Sequence, residues 1–229
     1  ENQQALKGLS ESYRTQSDSE GALKYLIRQK KTPRRDMNIL EAYYYLGNKL
    51  LFNNKLLELN KDKVLLPLIA CLSAHAAIRY SQKDNYNFCP NPFKYIQHLS
   101  LGKTELNKSF VEKIISTVNG YDFSYKPQGL LINGTQTLGP GNIFNLNDEC
   151  IVKLKKIIES KIMDYRNSFN AEDIGFFKQW PKEGDFTLTG WIINLNSGGS
   201  LKRHIHKEGW LSGSLYLNIP SKKKVNEGD

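Results

Sequence analysis

Apolar residues recur at helical spacing through the first third of the chain. A long amphipathic stretch runs from Met37 to Leu59. Because side chains three or four positions apart share one face of a helix, this pattern predicts helices over residues 1 to about 85. The nearly continuous apolar segment Val64–Tyr80 predicts a buried helix, in which Pro67 must occupy the first turn.

Two further helices are predicted in the middle of the chain. The first covers Glu105–Val118. The second carries one apolar stripe over Ile151–Tyr165 and follows the capping residues Asn147-Asp148-Glu149. Between them, the Gly-rich segment Gly120–Gly141 predicts loops and short strands.

The period of the pattern changes from helical to two after Pro181. Phe186–Leu195 and Leu211–Ile219 alternate between apolar and polar residues, which predicts two strands paired with each other. Helices followed by strands indicate an α+β chain. Because a β domain rarely ends after so few strands, we expect further strands beyond Asp229.

The composition and charge of the chain limit the classes of function that it can have. The 229 residues are 39% hydrophobic and carry a net charge of +9, with basic residues scattered along the chain. Without a basic run interleaved with aromatic residues, nucleic-acid binding is not predicted. No apolar segment of membrane-spanning length is present, and the three cysteines match no zinc motif. We therefore expect a cytoplasmic protein with reduced thiols, and neither a nucleic acid nor a membrane as partner.

The histidine pair His204 and His206 is the most specific chemical signal. On a strand the two side chains share one face, because side-chain direction alternates. Two neutral imidazoles can then bind one metal at about 2.0–2.2 Å each, and imidazole suits Fe, Zn, Cu and Ni. Gly198 and Gly199 allow a tight turn before this strand. His-x-His alone is equally compatible with a solvent-exposed pair that binds no metal.

The surrounding segment Gly190–Pro220 adds context to this pair. A strand, a Gly-rich turn, a histidine-bearing strand and another alternating strand resemble part of a double-stranded β-helix, or jelly roll. His204-Ile205-His206, Leu211-Ser212-Gly213 and Tyr216-Leu217-Asn218 together resemble the Fe(II)/2-oxoglutarate-dependent oxygenases, especially bacterial and phage-associated members and the prolyl-hydroxylase branch. The resemblance covers roughly residues 125 to 220.

The resemblance implies a domain organisation and a reaction. Residues 1–100 would form a helical, tetratricopeptide-like domain, and residues 101–229 the N-terminal part of an oxygenase jelly roll whose last strands are missing. The implied cofactors are Fe(II) and the co-substrate 2-oxoglutarate, and the implied reaction is hydroxylation. The substrate is unidentified. The helical domain suggests a protein or peptide, and it is itself expected to bind protein.

The resemblance also implies roles for four residues. His204 and His206 would bind the metal, while Asn194 and Tyr216 would face the 2-oxoglutarate pocket and donate hydrogen bonds to it. No catalytic residue beyond these is assigned. His206 departs from the family pattern because it stands where an Asp or Glu is usual. The third metal ligand and the Arg that pairs with 2-oxoglutarate would lie downstream of this chain.

Two alternatives remain open. A cupin has the same architecture and a Gly six residues before its His-x-His, as Gly198 is here. However, Trp210 and Leu211 stand where the cupin glutamate is expected, and Glu208 comes too early. The non-enzyme alternative is a helical-repeat binding module with a degenerate β domain. For the helical part itself, a plain helical bundle fits the pattern as well as tetratricopeptide-type repeats do.

Overall fold

The computed structural model describes residues 1–64, 66–86, 88–101, 105–121, 125–126, 129–137, 142–182, 184–207 and 209–219. The helices are α1 (Gln3–Thr15), α2 (Ser19–Leu26), α3 (Pro33–Tyr45), α4 (Lys49–Lys61), α5 (Pro67–Arg79), α6 (Lys108–Asn119), α7 (Glu149–Ser168) and α8 (Gly175–Lys178), with 3-10 turns at Pro92–Tyr95 and Ile143–Asn145. The strands are β1 (Tyr125–Lys126), β2 (Leu131–Thr137) and β3 (Ile193–Leu201).

The chain divides into two compact units. The first consists of Glu1–Lys94, Ile174–Phe176 and His206–Leu211, and the second of the remaining segments Tyr95–Asp173, Phe177–Ile205 and Ser212–Asp229. Helices and an antiparallel sheet together make this an α+β protein. In the part of the chain that the structure describes, no helix is long and apolar enough to cross a membrane.

Four helices of the first unit end in the same turn. α1, α3, α4 and α5 each have 13 residues. Two positions beyond each helix, the backbone adopts a positive φ, at Ser17, Gly47, Lys63 and Ser81. The next amide donates to a carbonyl five residues back, as in Asp18 N to Tyr13 O at 2.9 Å and Asn48 N to Tyr43 O at 3.1 Å. This motif satisfies carbonyls that the helix end would otherwise leave unpaired.

The first two helix pairs repeat at an interval of 30 residues. α1 and α3 begin 30 residues apart, and so do α2 and α4. Asp18 and Asn48 are the equivalent N-caps of α2 and α4, and Ala22 and Phe52 are equivalent core positions with no exposed surface. The repeat is therefore present in caps and core alike. The assignment to tetratricopeptide-type repeats stays a prediction.

The predicted stretch Met37–Leu59 is divided into two helices. α3 ends at Tyr45 and α4 begins at Lys49, with Gly47 between them at φ 69°. The apolar periodicity continues through this turn and conceals it, whereas the Gly-Asn pair allows it. Pro67 is the first residue of α5, as predicted for a proline in the first turn.

The core of the first unit forms around α3, which contacts α2, α4 and α5. Every residue from 36 to 42 of this helix is buried. Its apolar side chains pack against α4 and α5 in a cluster comprising Met37, Leu40, Phe52, Leu56, Leu59, Leu68, Ile69, Leu72 and Ala76. The same helix also buries Asp36, Asn38 and Glu41, which need polar partners inside the unit.

In the second unit, α6 and α7 occupy the segments where the sequence predicts helices. Asn107 accepts a hydrogen bond from Phe110 N at 3.0 Å, and Asp148 accepts one from Cys150 N at 2.8 Å, so both helices have Asx N-caps. Their facing apolar side chains form the core of this unit, which comprises Leu106, Phe110, Ile114, Val118, Cys150, Ile151 and Leu154.

The sheet is antiparallel, in the order β1-β2-β3. Between β2 and β3 the ladder is regular up to the pair Gly134–Leu195, after which residues 196–199 of β3 lie opposite the single residue Asn133. Asn133 adopts φ 49° and its side-chain amide donates to the Ser197 carbonyl at 2.8 Å. β3 therefore contains a four-residue bulge, and the Asn133 side chain joins this bulge to β2 through a hydrogen bond.

The strand predictions are wrong in extent and in pairing. Only Ile193–Leu195 of the predicted strand Phe186–Leu195 belongs to β3, and Leu211–Ile219 forms no strand among the described residues. β3 pairs with β2, which the sequence places among loops and short strands. Alternation identifies an extended segment but not the partner that supplies its ladder hydrogen bonds. The jelly roll stays a prediction.

Candidate metal and co-substrate site

His204 follows the end of the sheet. Among the described residues, the last backbone hydrogen bond to the β2 side runs from Lys202 N to Leu130 O at 2.8 Å, after which the backbone is irregular. The His204 side chain is exposed, and its Nδ1 lies 2.9 Å from the Lys202 carbonyl oxygen. Because a carbonyl only accepts, Nδ1 carries the proton, and in the neutral ring the lone pair is on Nε2. A backbone carbonyl on Nδ1–H is the usual outer contact of a metal-binding histidine.

His206 is half-buried in a turn, not on a strand. Its carbonyl accepts a hydrogen bond from Gly209 N at 3.0 Å. The expected histidine-bearing strand is therefore wrong, and strand alternation cannot place the two rings on one face. His204 belongs to the second unit and His206 to the first. Convergence of the two rings on one metal stays a prediction.

Gly198 and Gly199 lie in a bulge of β3, and not in the expected turn before a new strand. Gly198 has φ 72°, a conformation that glycine adopts without steric cost. A Cβ on Gly199 would stand 2.6 Å from the Asn133 carbonyl oxygen, so the backbones approach too closely there for any other residue. However, the chain on both sides of these glycines pairs with β2. They therefore form the bulge of β3 and do not separate two strands.

An ion-pair network inside the first unit anchors the segment that carries His206. Lys207 donates a hydrogen bond to the Glu41 carboxylate on α3. The same carboxylate accepts one from Arg14 Nη2 of α1 at 2.9 Å. Glu41 is buried, so its charge depends on these two cations. Sequence reasoning missed this contact. The available signal was an acidic residue within the apolar stretch of α3.

Trp210 packs as a core residue of the first unit. Its ring stacks on Phe176 at a centroid distance of 5.8 Å and meets the edge of Phe88 at 5.4 Å, all within the first unit. Its buried Nε1 donates no hydrogen bond to any described residue. The segment after His206 is therefore held at two positions. Lys207, the next residue, contacts Glu41, and Trp210, four residues after His206, contacts the aromatic rings.

The two predicted 2-oxoglutarate contacts both lie in the second unit. Asn194 is on β3 opposite Thr135 of β2, and its side chain is exposed. Tyr216 is 74% exposed and lies in irregular backbone, so the expected alternating strand around it is absent. Both side chains can offer donors to a carboxylate. Their roles as co-substrate contacts stay predictions.

The donor set fits a metal only in part. Two imidazoles are suitable ligands, and the hydrogen bond at His204 Nδ1 suits coordination through Nε2. A facial iron site needs three protein ligands. Across the described ranges, no group of three or more His, Cys, Asp or Glu residues is placed to hold a metal ion.

One comparison with known proteins bears on this segment. Residues 189–228 match the model of a family described as "Putative 2OG-Fe(II) oxygenase". The match includes the histidine pair, Leu211-Ser212-Gly213 and Tyr216, and it supports the oxygenase superfamily. The helical first part of the chain lies outside it. No curated protein and no solved structure matches this chain.

Proposed function

We propose that this protein is an Fe(II)- and 2-oxoglutarate-dependent oxygenase and that His204 and His206 supply two of its metal ligands. The observation that supports this most is the family match over residues 189–228, because it falls on the His-x-His segment. The hydrogen bond between His204 Nδ1 and the Lys202 carbonyl agrees with it, since that contact selects Nε2 for the metal. We expect the protein to act in the cytoplasm, where its three free cysteines would stay reduced.

The proposed reaction consumes 2-oxoglutarate, O₂ and a substrate C–H bond, and yields succinate, CO₂ and a C–OH group. One oxygen atom enters succinate and the other enters the hydroxyl group. Fe(II) supplies the oxygen chemistry when bound, and the protein supplies ligands and orientation. Asn194 and Tyr216 would donate hydrogen bonds to 2-oxoglutarate, while its main counter-charge and the third metal ligand would come from residues yet to be identified.

Anaerobic calorimetric titration with Fe(II) tests the metal assignment directly. We expect His204→Ala and His206→Ala each to weaken Fe(II) binding by at least tenfold, because each removes one imidazole ligand. His75→Ala is the matched control, since His75 is an exposed histidine on α5. Equal Fe(II) affinity in His204→Ala and the wild-type protein would refute the proposal.

His206→Asp separates a ligand role for position 206 from a packing role. A carboxylate there restores the usual set of two histidines and one carboxylate. We therefore expect Fe(II) affinity to be retained in His206→Asp but lost in His206→Ala. If both substitutions have the same effect on metal affinity, residue 206 is not a ligand. Succinate formation that depends on added Fe(II) then tests the reaction itself.

A further inference from the structure

The turn between α3 and α4 exposes two apolar side chains. Tyr45 is 65% exposed and Leu46 is 41% exposed. At the equivalent positions of the preceding repeat, 30 residues earlier, the exposed residues are Thr15 and Gln16. Both turns have the same backbone conformation and the same closing hydrogen bond. Folding of this turn therefore does not require apolar residues, and their exposure favours a role in binding.

Two cationic side chains lie beside this turn. Arg79 of α5 donates a hydrogen bond from Nη1 to the Tyr44 carbonyl oxygen at 2.6 Å. Its guanidinium also lies over the rings of Tyr44 and Tyr80, at 5.0 and 5.4 Å from their centroids. Lys49 of α4 lies over the Tyr80 ring as well, with Nζ 5.7 Å from the centroid. Because one ring contacts both cations, a single short ligand segment can reach both charges.

The charges of Arg79 and Lys49 are not neutralised locally. Among the described residues, neither side chain forms an ion pair with a carboxylate. Residues 42–57 and 63–83, which include the turn and α5, contain no Asp or Glu. The polar contacts of the two cations are backbone carbonyls at helix ends, which carry only partial charge. This surface is therefore positive, which favours an acidic ligand.

Arg79 is held in a position that suits a carboxylate. Its side chain is exposed, and its Nε and Nη2 donate to no residue in the described part of the chain. These two nitrogens form one edge of the guanidinium, which a carboxylate can accept through two parallel hydrogen bonds. The rings of Tyr44 and Tyr80 restrict the guanidinium, so binding costs less conformational entropy. A fixed edge matches a single carboxylate better than the diffuse charge of a lipid surface.

We infer that an acidic segment of a partner protein binds at this turn. One carboxylate of the segment accepts hydrogen bonds from the free edge of Arg79, and a second acidic side chain faces Lys49. An apolar side chain of the segment packs against Tyr45 and Leu46. The inference goes beyond the proposed oxygenase reaction and does not depend on it. It gives the protein binding that is expected of the helical part a defined site and a defined chemistry.

The test is a titration of the full chain with acetyl-Glu-Phe-Glu-Leu-Glu-amide, without Fe(II) or 2-oxoglutarate, monitored by NMR. We expect a Kd of about 0.1–1 mM. Acetyl-Gln-Phe-Gln-Leu-Gln-amide lacks only the carboxylates, and acetyl-Glu-Ser-Glu-Ser-Glu-amide lacks only the apolar side chains. Each should bind at least tenfold more weakly, because the surface offers both kinds of contact.

A double variant tests the apolar part of the site without changing the fold. Tyr45→Thr combined with Leu46→Gln gives this turn the residues of the first repeat. Binding of acetyl-Glu-Phe-Glu-Leu-Glu-amide should weaken about tenfold. The melting temperature should stay close to that of the wild-type protein, because the equivalent turn folds with these residues.

Arg79→Gln tests the charged part of the site. It should weaken peptide binding about tenfold, the loss expected for a hydrogen bond to a charged group. Arg28→Gln is its matched control and should bind like the wild-type protein. Arg28 is also exposed and lies over a tyrosine ring, at 5.9 Å from the centroid, but its charge is paired with Glu1 at 2.6 Å.

Four results would overturn the inference. They are equal binding of the three peptides, equal losses in Arg79→Gln and Arg28→Gln, unchanged binding in the folded double variant, and no detectable binding at about 10 mM peptide, which is well above the expected Kd. Sedimentation with vesicles of phosphatidylserine and phosphatidylcholine tests a lipid surface as the alternative. Binding to these vesicles that the double variant abolishes would assign the turn to a membrane and contradict a protein partner.

Discussion

The carboxylate of Glu41 accepts a hydrogen bond from Lys207, a residue 166 positions further along the chain. Glu41 is 5% exposed and also binds Arg14, so one buried charge on α3 holds two cations from separate segments of the first unit. Lys207 is the neighbour of His206. The position of one proposed metal ligand therefore depends on an acidic residue in the helical core.

Replacing Glu41 with Gln should destabilise the protein by about 2 kcal/mol, because the neutral amide loses the charged hydrogen bonds from Arg14 and Lys207. Urea denaturation measures this loss. Glu11→Gln is the control: Glu11 also pairs with Arg14, but its side chain is 54% exposed, so less than about 1 kcal/mol is expected. Fe(II) affinity should fall in Glu41→Gln and not in Glu11→Gln. Equal stability of the two variants would contradict the anchoring role.

The turn that ends α1 and α3 can be tested by exchanging serine and glycine between the two equivalent positions. Ser17 and Gly47 occupy the same turn position, with φ of 60° and 69°. Because a left-handed backbone is strained for serine and not for glycine, Ser17→Gly should stabilise the protein by about 0.5–1 kcal/mol. Gly47→Ser should destabilise it by a similar amount. Thermal unfolding of both variants measures this, and shifts of the same sign would show that the two turns are not equivalent.

Ionisation of the Tyr86 hydroxyl should lower the free energy of unfolding of the protein in alkaline solution. Burial raises the pKa of Tyr86 to about 12, and its hydroxyl donates to the Val64 carbonyl at 2.9 Å. An unfolded tyrosine has a pKa of about 10, so the unfolded state loses its proton first. The stabilisation is therefore complete below pH of about 10 and is lost as the pH rises through about 12. Melting temperatures across this range should fall more steeply for the wild-type protein than for Tyr86→Phe. Parallel curves would refute this.

Tyr216 provides a test of co-substrate binding. If its hydroxyl donates to 2-oxoglutarate, Tyr216→Phe should weaken 2-oxoglutarate affinity about tenfold and leave Fe(II) affinity unchanged. Tyr45→Phe removes the same group from another exposed tyrosine and should change neither affinity. Calorimetry with each ligand separates the two effects. Unchanged 2-oxoglutarate affinity in Tyr216→Phe would leave Tyr216 as an exposed aromatic residue without this role.

Local signals predicted the helices well. The cap Asp148 stands at a helix start that the sequence identifies, and Pro67 lies in the first turn of its helix. These features depend on residues within one or two turns, so sequence reasoning reaches them. The turn at Gly47 was missed because leucines on both sides continue the apolar period across it.

Contacts between distant residues were not predictable in the same way. Ile193 pairs with Gln136, and Lys207 with Glu41, and in neither case does the local pattern around one residue specify the other. The histidine pair is recognisable from the sequence because it is a short motif with its own chemistry. Its backbone was predicted wrongly because the strand inferred there required a partner that alternation alone does not specify.

The long loop closed by the sheet has a consequence for the order of folding. In the first unit, α1, α2 and α3 each contact the next helix along the chain, so forming these contacts requires the closure of short loops only. β2 and β3 instead pair residues at least 57 positions apart, as in Gln136 and Ile193. Such pairings form slowly, because the entropy of closing the loop is lost before the strand contacts stabilise the chain. Pulsed hydrogen exchange during refolding should therefore protect helix amides of the first unit before those of β3, and simultaneous protection would contradict this order. The backbone that leads from β3 to His204 would then be among the last to take its final shape, so a newly made chain would complete the proposed metal site only after its helical part had folded.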